Sequence, residues 1–205
     1  VSKTDGHIGL LRLEHRRVKA IQSAADCSAY IAALRDGLGS DAESKRIHIV
    51  ERFRAGLSED DFTLCKIAAI SLDPFAKRIA QAVWKSDRDA ASFPAIWNRC
   101  VVAAFDVLDN NRYSLPDLYQ QGCREFCTPD ESQRWNLLIA DALEEPVDGT
   151  VDPSDIANSI AHRVIGGQPS DALKRAALFL MMVRGKHRNA IRKFLAFRFD
   201  LWLSR

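Results

Sequence analysis

Residues 103–122 read AAFDVLDNNRYSLPDLYQQG: an apolar helical stripe, a short polar patch and a second helical stripe in unbroken succession. On the entering side Ile96, Trp97, Cys100, Val101, Ala104, Phe105 and Leu108 recur at helical spacing. The patch fits the frame of a twelve-residue calcium loop. Such a loop takes oxygens from positions 1, 3, 5, 7 and 9 and a bidentate acid from position 12, with a sharp turn at 6 and an apolar residue at 8 that bridges to a partner loop. With Asp106 at position 1, Asn110 falls at 5, Asn111 at 6, Tyr113 at 8, Ser114 at 9 and Asp117 at 12. Asparagine tolerates the left-handed backbone that glycine usually supplies at position 6. Two positions depart from the pattern: Leu108 at 3 has no oxygen, and Asp117 is a methylene shorter than glutamate.

Helix–loop–helix units of this kind work as face-to-face pairs, so a second frame is expected some 36–40 residues away. LEEPVDGTVDPSDIA supplies one 38 residues downstream, with Glu144 at 1, Asp148 at 5, Gly149 at 6, Val151 at 8, Asp152 at 9 and Asp155 at 12. Its position 3 is Pro146, again without a side-chain oxygen. Upstream, RAGLSEDDF fits positions 5–13 of a frame opening at Val50, but Arg52 and Arg54 stand where carboxylates belong and would repel a dication. At the start, KTDGHIGLLRL places Asp5, Gly6 and Ile8 correctly but Arg12 at the acid position. None of the four frames is intact.

Around these frames the chain reads as helix throughout, with no sheet expected beyond two-residue bridges. Helices are expected over roughly 6–22, 27–36, 41–55, 59–71, 74–86, 94–107, 115–127, 129–144, 153–165, 170–184 and 189–203. Ser40 with Glu43 and Thr128-Pro129-Asp130-Glu131 have capping-box form, Asp73-Pro74 and Asp152-Pro153 place an acid before an N-terminal proline, and Gly37, Gly56 and Gly166 mark helix ends. With 205 residues, 47% of them hydrophobic, the chain can bury one core or two lobes. The net charge of +2 conceals a swing. Residues 106–155 hold 12 acids and 3 bases, whereas residues 156–205 hold 2 acids and 10 bases.

AAFDVLDNNRYSLPDLY and DGTVDPSDI, the irregular spacing of the frames and Ile96-Trp97 ahead of the third frame resemble the EF-hand superfamily. Within it the likeness is to the group of sarcoplasmic calcium-binding proteins, calexcitin, calerythrin and the coelenterazine-binding photoproteins, over about 1–166. The resemblance implies an all-α fold of two EF-hand-like lobes closed by C-terminal helices: an N-terminal lobe over 1–90, a C-terminal lobe over 91–168, and basic amphipathic helices over 169–205. It also implies an apolar ligand space between the lobes, for which Trp84, Trp97, Tyr113 and Trp135 are the lining candidates.

The damaged ligand sets point to calcium-independent binding of a protein helix or an apolar small molecule. Two alternatives stand beside it: an enzyme or carrier for such a molecule, and a weak calcium sensor or buffer. No cofactor is expected. Calcium, if held at all, would be held weakly by Asp106, Asn110, Asp117, Glu144, Asp148, Asp152 and Asp155. No zinc, serine-hydrolase or phosphate-loop pattern is present among the scattered histidines and glycines. His15 and His162 are the candidates to act on a bound ligand.

Five cysteines without a CxxC suggest reduced packing residues and a cytoplasmic setting. Cys123 and Cys127 are spaced to share a helix face. No apolar run is long enough to span a membrane, no nucleic-acid recognition motif is present, and no signal-peptide pattern opens the chain. Val1 starts abruptly, which leaves room for an upstream segment. The tail RGKHRNAIRKFLAFRFDLWLSR gathers Ile191, Phe194, Leu195, Phe199 and Trp202 on one helical face, suited to docking on an acidic lobe or to a membrane surface.

Overall fold

The structure, a computed structural model, describes His15, Val18 and residues 23–37, 50–71, 74–108, 111–147, 149 and 151–182. The expected tail helix over 189–203, the frame near residue 1, Asn110 and Asp148 lie outside the described residues. The chain divides into two compact units, Val1–Thr128 and Pro129–Arg205.

The first unit contains α1 (Ala24–Gly37), helical residues 50–55, α2 (Glu59–Ile70), β1 (Phe75–Ala76), α3 (Lys77–Asp87), α4 (Phe93–Ala103), β2 (Asp106–Val107), β3 (Arg112–Ser114) and α5 (Asp117–Glu125). Helix α2 is its centre. Ser58 caps the helix by accepting from the Asp61 N–H at 3.1 Å, and Glu59, Asp60 and Asp61 complement the positive end of the helix dipole. Every residue from Asp61 to Ile70 is buried, as a helix packed by α3, α4 and α5 requires. Its last carbonyls are satisfied by α5: Gln120 Nε2 donates to Ser71 O at 3.1 Å and Arg124 Nε to Ala69 O. Helix α5 also approaches residues 50–55 closely. A Cβ on Gly122 would stand 2.4 Å from Val50 Cγ2, and the Phe53 and Tyr119 rings meet at 4.3 Å.

Three expectations are corrected here. The helix expected over 94–107 stops at Ala103, because Asp106 and Val107 pair with Ser114 and Tyr113. The helix expected to open at Pro74 starts at Lys77, because Phe75 and Ala76 pair with Tyr113 and Arg112. The bridges therefore add up to a three-stranded antiparallel sheet in the order β1-β3-β2. The aromatic residues around it explain its position. Phe75 meets Trp97 and Phe105 edge-on at 6.1 and 5.4 Å, and Tyr113 meets Trp97 edge-on at 4.8 Å.

The second unit contains α6 (Pro129–Glu144), α7 (Pro153–Ile165) and α8 (Pro169–Met182). The first two have the bounds expected from their N-terminal prolines, and Asp152 caps α7 by accepting from Ser154 N at 2.8 Å. Helix α7 packs against both α6 and α8. Ala157, Ile160, Ala172 and Phe179 form the α7–α8 core, while Trp135, Ile139, Ala140 and Leu143 are buried on α6. Gly167, with φ +79°, closes α7 in the left-handed region.

Candidate functional site

The first frame becomes a β-hairpin. Leu108 N donates to Arg112 O at 2.8 Å, closing the turn that contains Asn111 at φ +56°, the left-handed conformation expected of position 6. Asp106 is half-buried opposite Ser114, and Asp117 is exposed as the first residue of α5. The position-8 residue, Tyr113, was expected to bridge to Val151. Its partners are instead Phe75 on one edge and Val107 on the other.

Phe75 stands in the loop between α2 and α3, and Tyr113 in the loop between α4 and α5, so two helix–loop–helix hairpins are joined loop to loop 38 residues apart. If Phe75 is counted as position 8, its frame opens at Ala68 and carries Ile70 at 3, Leu72 at 5, Ala76 at 9 and Ile79 at 12. That loop has no side-chain oxygen at any of these positions. The frame opening at Val50 forms no loop over its first six positions. Residues 50–55 are helical, and only Gly56, Leu57 and Ser58 connect them to α2.

The second frame holds its left-handed turn, Gly149 at φ +77°, but its position-1 acid, Glu144, is bonded to arginines. Arg163 Nε and Nη2 each lie 3.2 Å from one oxygen of Glu144, a bidentate fork. Arg163 Nη2 also donates to Asp141 Oδ1 at 2.6 Å, and Nη1 lies 3.5 Å from both Gln168 Oε1 and Asp171 Oδ2. Arg175 bonds Glu144 through Nη1 and Asp171 through Nε, the latter at 2.9 Å. Ser159 Oγ is 2.8 Å from Glu144 Oε1. The position-1 carboxylate is therefore enclosed by two guanidinium groups and a hydroxyl. Burial works against the charge of Arg163, but its bonds to Glu144 and Asp141 outweigh that and raise its pKa. Asp152 is the α7 cap, and Asp155 is buried in the first turn of that helix.

The other candidates separate. Trp84, Trp97 and Tyr113 belong to one aromatic cluster in the first unit, linked through Phe93, which lies 6.3 Å from Trp84 and 5.6 Å from Trp97. Trp84 Nε1 donates to Asp89 O at 3.1 Å. Trp135 is buried in the second unit. His15 is exposed and belongs to the first unit, whereas His162 is 2% exposed and belongs to the second. His162 Nδ1 lies 2.7 Å from Asn136 Oδ1, and Asn136 Nδ2 donates to Ser132 O, so Nδ1 carries the ring proton. Among the described residues, no group of three or more His, Cys, Asp or Glu is disposed to hold a metal ion.

No family model, curated protein or solved structure matches the chain.

Arg163 and Arg175 were not among the residues singled out from sequence. The signal for Arg163 was its position: it follows Ile156 and Ile160 at helical spacing, on the side of α7 that faces its neighbours.

No disulfide joins the described cysteines. Cys65, Cys100 and Cys123 are fully buried, and burial pushes the Cys123 thiol up to about 12 and the Cys65 thiol well above its ordinary value. Cys127 lies beyond the end of α5, so it shares no helix face with Cys123; its Sγ reaches Cys123 O at 3.4 Å instead.

Proposed function

We propose that this chain is a calcium-independent binding protein built on an EF-hand-type scaffold whose ion sites have been replaced by internal pairing. The observation that carries the reading is the enclosure of Glu144 by Arg163, Arg175 and Ser159. A dication arriving at that carboxylate would have to displace two positive charges. Leu108 and Pro146 leave position 3 of both frames without an oxygen. The scaffold reading draws its support from the loop-to-loop pairing of Phe75 with Tyr113 and from the left-handed residues Asn111 and Gly149 at position 6 of their frames. Cysteines not joined by a disulfide are in keeping with a cytoplasmic setting.

An enzyme or carrier acting on an apolar small molecule has less support, since Trp84, Trp97 and Tyr113 pack against neighbouring rings and His162 is bonded to Asn136. A ligand that binds only the folded state raises its stability by mass action. Thermal melting in excess calcium and in chelator is therefore expected to give the same Tm; a calcium-dependent rise of several degrees would overturn the proposal.

A further inference from the structure

Cys123 and Cys127 bracket the end of α5. Cys123 is fully buried, whereas Cys127 is half-buried and reachable from solvent. The chain stays coiled between them past the last residue of the helix: Phe126 N donates to Cys123 O at 3.3 Å and Cys127 N to Arg124 O at 3.1 Å. The Cys127 side chain folds back along this turn, its Sγ donating to Cys123 O at 3.4 Å. Four residues of helical coil advance about 6 Å. That is within the reach of a disulfide, whose α-carbons stand roughly 4.4–6.8 Å apart. The turn is also held from outside. Phe126 meets Phe62 edge-on at 5.6 Å, and the Arg54 guanidinium stands 4.8 Å from the Phe126 ring and 5.4 Å from that of Phe62.

We propose that Cys127 and Cys123 form a peroxide-responsive dithiol in which Cys127 takes the first oxidation and Cys123 resolves it as a disulfide. The oxidant is a hydroperoxide. The Cys127 thiolate attacks one peroxide oxygen, the O–O bond breaks, and Cys127 becomes a sulfenic acid as water or an alcohol leaves. The Cys123 sulfur then attacks the Cys127 sulfur. The S–S bond forms, the S–O bond breaks, and hydroxide leaves as water with the Cys123 proton. Two thiols thus give up two electrons and two protons to the peroxide. Their environments divide the roles. Exposure admits the peroxide to Cys127 first. Burial, with Cys127 as a neighbour, pushes the Cys123 thiol up to about 12, which keeps it protonated and silent towards reagents in solution. Lys66, buried on α2, acts in the opposite sense and favours the Cys123 thiolate when a sulfenic acid forms beside it. The bond would fasten the end of α5, the helix whose Gln120 and Arg124 hold the last carbonyls of α2.

The test is treatment of the reduced full chain with hydrogen peroxide at neutral pH, followed by denaturation, alkylation of the remaining thiols and tryptic mapping by mass spectrometry. Trypsin cuts after Arg124, between the two cysteines, so the bond joins two peptides that dithiothreitol separates. The joined pair is expected as the first product. In Cys123→Ser, Cys127 should accumulate as a sulfenic acid that dimedone traps and then pass to the sulfinic acid. In Cys127→Ser, oxidation of Cys123 should fall about tenfold or more. Circular dichroism of both variants should match the parent. The proposal is overturned if the parent carries Cys127 to the sulfinic acid while Cys123 remains alkylatable, if Cys127 is inert, or if Cys123 oxidises equally well in Cys127→Ser. The parent map alone decides the first two outcomes, so a misfolded variant would not rescue the proposal.

Discussion

The Arg163 guanidinium holds the Glu144 carboxylate through two bonds of 3.2 Å, joining the last residue of α6 to the last turn of α7. The Arg163 side chain is only 6% exposed, and it reaches Asp171 at the start of α8 as well. One side chain thus ties three helices together. Losing one partner of such a pair leaves the other charged and poorly solvated. Arg163→Ala should therefore destabilise the protein by about 3 kcal/mol. Arg175→Ala, at a side chain 37% exposed, should cost clearly less. Urea denaturation followed by circular dichroism would measure both, and equal losses would refute the central role of Arg163.

The acid limb of the stability curve should carry a second sign of this network. Its bond to Arg175 holds the Asp171 carboxyl below its ordinary value. A depressed folded pKa adds stability above the unfolded value of about 3.9, and that stability is lost as pH falls through the folded value. Asp171→Asn should flatten the decline of stability below about pH 4 and leave its slope at neutral pH unchanged. Denaturation midpoints across that range would decide it.

Gly122 faces Val50 with no space for a methyl group, since its Cβ would fall 2.4 Å from one Val50 methyl and 2.6 Å from the other. Gly122→Ala should cost about 1–3 kcal/mol through overpacking. Val50→Ala in the same chain should recover part of the loss, giving a non-additive pair. Additive losses in denaturant titrations would show that the two sites do not touch.

Thiol reactivity should divide by burial. Cys27, on α1 and half-buried, should be alkylated readily near neutral pH, while Cys65, Cys100 and Cys123 should wait for unfolding. The raised pKa of Cys123 favours the neutral thiol in the fold, so its contribution is complete below the unfolded value of about 8.5 and declines as pH rises towards the folded one. Mass spectrometry after brief iodoacetamide treatment of the native protein would count the modified sites. Early labelling of Cys123 would contradict the burial described here.

The helices that local chemistry announces were legible in the chain. Pro129, Asp152 and Pro153 determine the starts of α6 and α7, and Asn111 and Gly149 were identifiable as left-handed positions from residue type alone. The sheet was not legible. Two residues at Phe75–Ala76 are too few to show a period of two, and Pro74 imitates a helix start. What places them is contact between distant rings, Phe75 on Trp97 and Phe105, which no local window contains. The loop partner was missed for a related reason. A frame can be found by its oxygens, and one counted from Ala68 has none at positions 1, 3, 5, 9 and 12; only an apolar residue 38 positions ahead of Tyr113 marked it. The arginine network was hidden because Arg163 lies 19 residues from Glu144 and becomes its partner only when α6 and α7 pack.

Calcium independence is most directly tested by isothermal titration of the full chain with calcium at low ionic strength. With Glu144 enclosed by Arg163 and Arg175, the titration should show no saturable site at micromolar or tighter affinity, the range in which calcium sensors work. A saturable submicromolar site would contradict the account.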